Sequence, residues 1–243
     1  MKIDTLNNGI IIGVSGKIGS GKDAVAKLIA KNVNTQLLEQ LSIPIWLKYI
    51  LKNKKFIHVH KKAFAYKLKC IVQFLTNYKM QVVDEKTFTN KVYDYTQFDK
   101  NYFVDAFGMT IGNMLQKVGT DAIRNNVHTN AWVEALFVDM DNMKENDIWV
   151  ITDVRFKNEA NAIKERNGFL IRVNGDPLKI RENSTRDLNH QSEVDLDDYT
   201  EWDYVLENNG TLHDLEDTVN QDLIEPLVAE LFLQKFGNIL NIL

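Results

Sequence analysis

A single cysteine, Cys70, stands among 243 residues, which excludes an internal disulfide and any cysteine-built metal cluster. Such scarcity fits a reducing compartment. Three prolines and 12 glycines leave little material for long flexible linkers. No apolar run approaches the roughly 18 residues that a membrane span requires. The opening MKIDTLNNG lacks the apolar stretch and small-residue cleavage site of a secretion signal. With 44% apolar and 26% charged residues the chain is neither disordered nor collagen-like. A cytoplasmic protein with a substantial core, and without membrane attachment, is expected.

Acidic side chains are missing between Glu39 and Asp84, where Lys48, Lys52, Lys54, Lys55, Lys61, Lys62, Lys67, Lys69 and Lys79 all fall. From Ser184 to Glu230 the balance reverses, and Arg186 is the only Lys or Arg. A basic stretch attracts anionic ligands or forms a solvated helix face. The net charge of −4 argues against a dedicated nucleic-acid binder.

What is present alternates in period. Gly9 to Ser15 reads as a buried strand, followed by a glycine-rich turn and a helix from Asp23 to Lys31 with Val25, Leu28 and Ile29 at helical spacing. Asp147 to Thr152 reads as a second strand, leading through Asp153-Val154-Arg155 to a helix near 157–166 that Asn167-Gly168 stops. Phe169 to Val173 resumes as a strand until Asn174-Gly175-Asp176-Pro177. Strands alternating with helices predict an α/β fold with a mainly parallel sheet flanked by helices. Helical patterns fill the middle: Phe64 to Leu75, Thr110 to Val118 with Thr110 as cap, and a helix capped by Asn130 that carries Trp132, Val133, Leu136 and Phe137. Residues 77–105 read as a surface excursion, and Leu212 to Phe236 as one or two helices interrupted at Pro226.

The turn at Gly16-Lys17-Ile18-Gly19-Ser20-Gly21-Lys22-Asp23 matches the phosphate-binding pattern G-x-x-x-x-G-K-[ST] at all but its last position. Glycines let consecutive backbone N–H groups close around a polyphosphate, the following helix adds the positive end of its dipole, and Lys22 adds a full charge. Nucleoside triphosphate binding follows. Asp23 replaces the usual hydroxyl and is a Mg²⁺ ligand, a first-turn acid that the helix dipole favours, or both.

Ser20-Gly21-Lys22-Asp23 resembles the loop ending of two groups of small-molecule kinases, phage-type deoxynucleoside monophosphate kinases and animal-type phosphomevalonate kinases. Further segments are similar to the first group. They are Phe64-Ala65-Tyr66-Lys67-Leu68-Lys69; Leu115 to Arg124 followed by Trp132-Val133; Thr152-Asp153-Val154-Arg155-Phe156-Lys157-Asn158-Glu159-Ala160; His190-Gln191-Ser192-Glu193; and Asn208-Asn209-Gly210-Thr211. Their order matches from Gly13 to about Val219. Residues 77–105 and the last twenty or so fall outside.

The resemblance implies a P-loop kinase fold with a helical acceptor-binding region and a lid. It implies one domain over 1–243, with core at about 9–75 and 110–220 and lid at about 174–192. It implies transfer of a phosphoryl group from ATP, with Mg²⁺, to a deoxynucleoside monophosphate in a bacterial host cytoplasm, and leaves a homodimer open. A kinase for another phosphorylated small molecule and a non-enzymatic nucleotide-binding module are the alternatives. Gly16, Lys17, Gly19, Ser20, Gly21, Lys22 and Asp23 would hold the donor, with Arg181 and Arg186 as lid arginines or plain loop charges. Asp153 would serve Mg²⁺ or the acceptor, or be a strand-end turn acid. Arg155 would hold phosphate or form an ion pair with Glu159. Lys69, Lys117, Gly119, Thr120, Arg124, Trp132 and Glu159 complete the acceptor set; Lys69 and Arg124 would otherwise be charges of a solvated face, and Glu159 a helix-surface glutamate. Gly119-Thr120 would otherwise only divide two helices, and Trp132 would otherwise be core. Family members often carry an arginine where this chain has Gly112-Asn113-Met114, so Lys117 or Arg124 is expected to take its place. His190 and Glu193 are expected to order a loop.

Overall fold

The computed structural model describes residues 9–40, 48, 57–78, 81–82, 90–91, 99–138, 143–144, 147–182 and 187–229. Arg186, Lys52, Lys54, Lys55, Lys79 and the helix expected beyond residue 229 lie outside the described residues. In chain order the strands are β1 (Ile10–Ser15), β2 (His58–Lys62), the short pairs β3 (Gln81–Val82) with β4 (Asn90–Lys91) and β5 (Phe103–Val104) with β6 (Met109–Thr110), then β7 (Asp147–Val154), β8 (Phe169–Asn174) and β9 (Tyr204–Glu207). The helices are α1 (Lys22–Gln40), α2 (Tyr66–Thr76), α3 (Ile111–Gln116), α4 (Ala131–Phe137), α5 (Lys157–Lys164), α6 (Gln191–Val194) and α7 (Leu212–Val219). A π-helix at Lys117–Arg124 continues α3, and another at Asn220–Ile224 continues α7.

β1 is buried at every position because it runs through the middle of the central sheet, whose order is β2-β7-β1-β8-β9. All four pairings are parallel. Period-two alternation then sorts the core into two layers. Ile10, Ile12 and Val14 of β1 join Ile148, Val150, Phe169, Ile171 and Val173 under α1 and α7. Ile11, Trp149, Ile151 and Leu170 face the other way, toward α2, α3, α4 and α5. This is the helix-flanked, mainly parallel α/β architecture expected of a P-loop kinase.

The inner strands and their helices lie where the sequence pattern puts them. Both edge strands escape it. β2 is His-Val-His-Lys-Lys and largely exposed, and β9 buries fully only Leu206, so neither carries the apolar run that marks β1 and β7. Thr110 does cap α3, its hydroxyl accepting the Asn113 amide at 3.2 Å. Asn130 stands before α4 without a side-chain cap bond, because its Oδ1 instead accepts from the Asn158 amide at 2.8 Å. The left-handed residue after α5 is Asn167 (φ 55°), not Gly168. Gly168 is required for close approach, since a Cβ there would lie 3.0 Å from the carbonyl of Ile11. Helical backbone also continues through Pro226 to residue 229. Asp222, whose carbonyl the proline ring would strike in a regular helix, sits in the widened π segment.

Candidate active site

β1 delivers the glycine loop to the carboxyl edge of the sheet, where Ser15 pairs with Val154 of β7 and Arg172 of β8. Doubly wound sheets place ligands at this edge. Gly19 and Gly21 adopt φ of 81° and 89°, a region closed to most side chains, and the loop turns back on itself there. α1 starts at Lys22, with the Ala24 and Val25 amides bonded to the Gly21 carbonyl at 2.8 and 3.1 Å. Two side chains from later in the chain fasten the loop. Asn208, just past β9, donates its amide to the Ser20 carbonyl at 2.9 Å, and Arg181 donates Nε to the Ile18 carbonyl at 3.0 Å. The Ser20 hydroxyl is buried and has no hydrogen-bond partner among the described residues. Lys17 turns outward to Asp197 at 2.8 Å.

Asp23 is 63% exposed at the head of α1, and its Oδ1 accepts from Lys61 of β2 at 2.7 Å. Partial burial pushes its pKa up, but the Lys61 bond and the charges of Lys61, Lys22 and Lys69 outweigh that and hold it below the usual carboxylate value. Lys61 is thus the cation that offsets a carboxylate beside the phosphate loop. Among the described residues no cluster of three or more acidic, histidine or cysteine side chains could hold a metal. The donor set suits a hard ion that takes most ligands from phosphate and water, with Asp23 as the protein carboxylate.

Beside the loop lies a cleft of about 750 Å³, open space included. Lys69, Gly119, Thr120, Arg124, Trp132, Asp153, Arg155 and Glu159 all line it. Lys117 does not; it is exposed on the π-helix. Trp132 is buried, and its indole N–H donates to the Gly119 carbonyl at 2.9 Å, so it is core and cleft wall at once. At Gly119 a Cβ would meet Leu68 of α2 at 2.5 Å, which lets the π-helix pack directly on α2.

The charges in the cleft pair in ways that spacing did not suggest. Asp153 accepts the Phe64 and Ala65 amides on its two oxygens at 2.8 and 2.9 Å and so pins the turn before α2. Arg155 pairs with Glu193 at 2.5 Å and donates to the Ser192 carbonyl at 3.0 Å; the ion pair with Glu159, the alternative to a phosphate contact, does not form. Instead Glu159 takes Arg124 at 2.6 Å, both side chains only 4% exposed. Arg124 also donates to Asn158 Oδ1 and the Thr129 carbonyl at 2.8 and 3.1 Å, and its guanidinium stacks 3.7 Å from the Phe156 ring centre. Burial pushes Glu159 up to about 7, with the charge of Asp153 adding to the push against the pull of Arg124 and the Arg155 and Phe156 amides. His190 orders the loop as expected, its Nδ1 accepting the Ser192 amide at 3.2 Å to cap α6.

Three contributors had no role assigned from the sequence. Lys100 lines the cleft from the supposed surface excursion, its carbonyl accepting the Gly112 amide at 2.8 Å. Asn208 straps the loop from 188 residues away. Gln116 lines the cleft from the last turn of α3. No local pattern marks Lys100; Asn208 and Gln116 were visible only as members of the segments Asn208 to Thr211 and Leu115 to Arg124.

A family model described as deoxynucleotide monophosphate kinase matches residues 46–219. The glycine loop lies ahead of that stretch, so its reading stands on its own residues. A protein of Acanthamoeba polyphaga mimivirus named "Putative deoxynucleotide monophosphate kinase" is 30% identical over 217 residues, covering 84% of this chain and 91% of that protein. A solved structure titled "Crystal structure of APE1195" aligns over 90% of this chain and 98% of its own at 14% identity, with a TM-score of 0.34. With the family match spanning most of the chain and the relative aligned nearly end to end, the chain belongs to the deoxynucleotide monophosphate kinase family.

Proposed function

We propose that the chain acts as a single domain that moves the γ-phosphoryl group of ATP onto the 5′-phosphate of a deoxynucleoside monophosphate. An oxygen of that phosphate bonds to the γ-phosphorus as the bond to the β–γ bridging oxygen breaks, leaving ADP and the deoxynucleoside diphosphate. The observation that carries this is adjacency. The phosphate loop leaves β1 at Ser15, opposite Val154, and Asp153 and Arg155 on either side of Val154 line the cleft. Phosphoryl transfer asks the protein chiefly to hold two anions in line and neutralise their charge.

On this reading the amides of Gly16 to Asp23 and the Lys22 ammonium cradle the donor, with Arg181 against the loop. Lys69 and Lys100 supply positive charge to the acceptor phosphate, and Thr120 supplies a hydroxyl. Arg124, held by Glu159, presents a fixed charge, and Trp132 forms the wall for the base. Asp153 keeps the Phe64-Ala65 turn in place, and Arg155 ties α6 to the cleft through Glu193. Bound Mg²⁺, held by Asp23 and phosphate oxygens, would neutralise charge on the transferring group. Incubating the chain with Mg·ATP and each of the four deoxynucleoside monophosphates should yield diphosphate from at least one. Diphosphate from none would discard the proposal.

A further inference from the structure

Gln116 ends α3 where the regular helix widens into the π segment. Thr120 and Arg124 follow at four-residue steps, and the wide π turn brings all three to the same cleft. The carboxamide nitrogen of Gln116 is shut from solvent and meets no acceptor within hydrogen-bonding distance among the described residues. A buried donor left without an acceptor costs stability and is rare in folded proteins. Around it the cleft offers Trp132, Phe64 and Leu115, flat and apolar surface that suits a planar ring.

We infer that Gln116 reads the base of the acceptor nucleotide, an inference that rests on the function proposed above. Its terminal torsion is a soft sp³–sp² rotation. With no acceptor holding the nitrogen, the amide turns toward the cleft without breaking a bond there. The N–H₂ then donates to a ring nitrogen or exocyclic oxygen on the pairing edge of the base, and Oε1 accepts from the neighbouring N–H. Adenine, guanine, cytosine and thymine each set a donor beside an acceptor on that edge, and a carboxamide meets either order by turning over. Gln116 therefore favours an acceptor with a base over one without, and discriminates weakly among the four.

The test compares the native chain with Gln116→Met, which keeps the length and removes the polar end, and Gln116→Glu, which keeps the shape and removes the donor. KM and kcat are measured for the preferred deoxynucleoside monophosphate, together with inhibition by 2-deoxyribose 5-phosphate, which has no base. Both variants should raise KM by about tenfold and leave kcat within about threefold. Inhibition by the base-free sugar phosphate should stay unchanged. The melting temperature of ligand-free Gln116→Met should hold or rise by about 2–4 °C, because the orphaned donor is gone. An unchanged KM, an equal loss for the base-free compound, or a lowered melting temperature in Gln116→Met would overturn the role of Gln116. Any of these, seen alongside normal turnover by the native chain, leaves the proposed function standing. A native chain that makes no diphosphate removes both.

Discussion

Lys22 and Glu159 show what one side chain decides here. Lys22 opens α1 directly behind the two left-handed glycines, so on the proposed function Lys22→Ala removes a full charge from the donor phosphates. Turnover should fall by about 10²-fold or more in a steady-state assay, with the melting temperature little changed. Glu159 makes a pH prediction. Its carboxyl is raised to about 7 from 4.5, so between those values the folded protein binds a proton that the unfolded chain has lost. Stability from this group is therefore fully present below about 4.5 and lost as pH rises toward 7. Glu159→Gln mimics the protonated form. Urea unfolding should show the native chain losing stability relative to the variant by up to about 1.4 kcal/mol per pH unit across that window; a gain would reverse the sign of the argument. At this scale legibility depended on chain distance. The loop residues turn on their own backbone, with Gly19 and Gly21 at positive φ, and could be read. The pairing of Arg124 with Glu159, 35 residues apart, and of Arg155 with Glu193, 38 apart, is made only when the π-helix and α6 converge on the end of β7 and the start of α5.

Elements differ in how much of themselves they announce. β1, β7 and β8 carry apolar runs because both their faces are covered, and those runs are visible in the chain. β2 and β9 have a neighbour on one side only, so polar residues suffice and the pattern fades. The π-helix at Lys117–Arg124 leaves no periodic mark that separates it from an ordinary helix, yet its wide turn aligns Gln116, Thr120 and Arg124 on the cleft. It also depends on close packing, with a Cβ at Gly119 falling 2.5 Å from a methyl of Leu68. Gly119→Ala should therefore cost about 1–3 kcal/mol by overpacking and raise acceptor KM, while ATP binding by calorimetry stays near native. Equal damage to both would mean that the π segment and the loop are not separable.

For the molecule as a whole, the sheet brings two binding regions to one edge. The loop after β1 and the cleft beside β7 meet because Ser15 and Val154 are in register, and Asn208 and Arg181 close the loop from beyond β8. Alternating strand and helix patterns were enough to foresee the parallel sheet. The place of Lys100 on the cleft was not, since only docking of residues 99–104 on α3 brings it there. The most direct test of this adjacency is calorimetric titration of the native chain with adenosine and deoxynucleoside joined through their 5′ positions by a pentaphosphate. One molecule should bind per chain, at least about 10²-fold more tightly than ATP, and Lys22→Ala and Lys69→Met should each weaken it. Affinity no better than that of ATP, or indifference to Lys69→Met, would contradict the account.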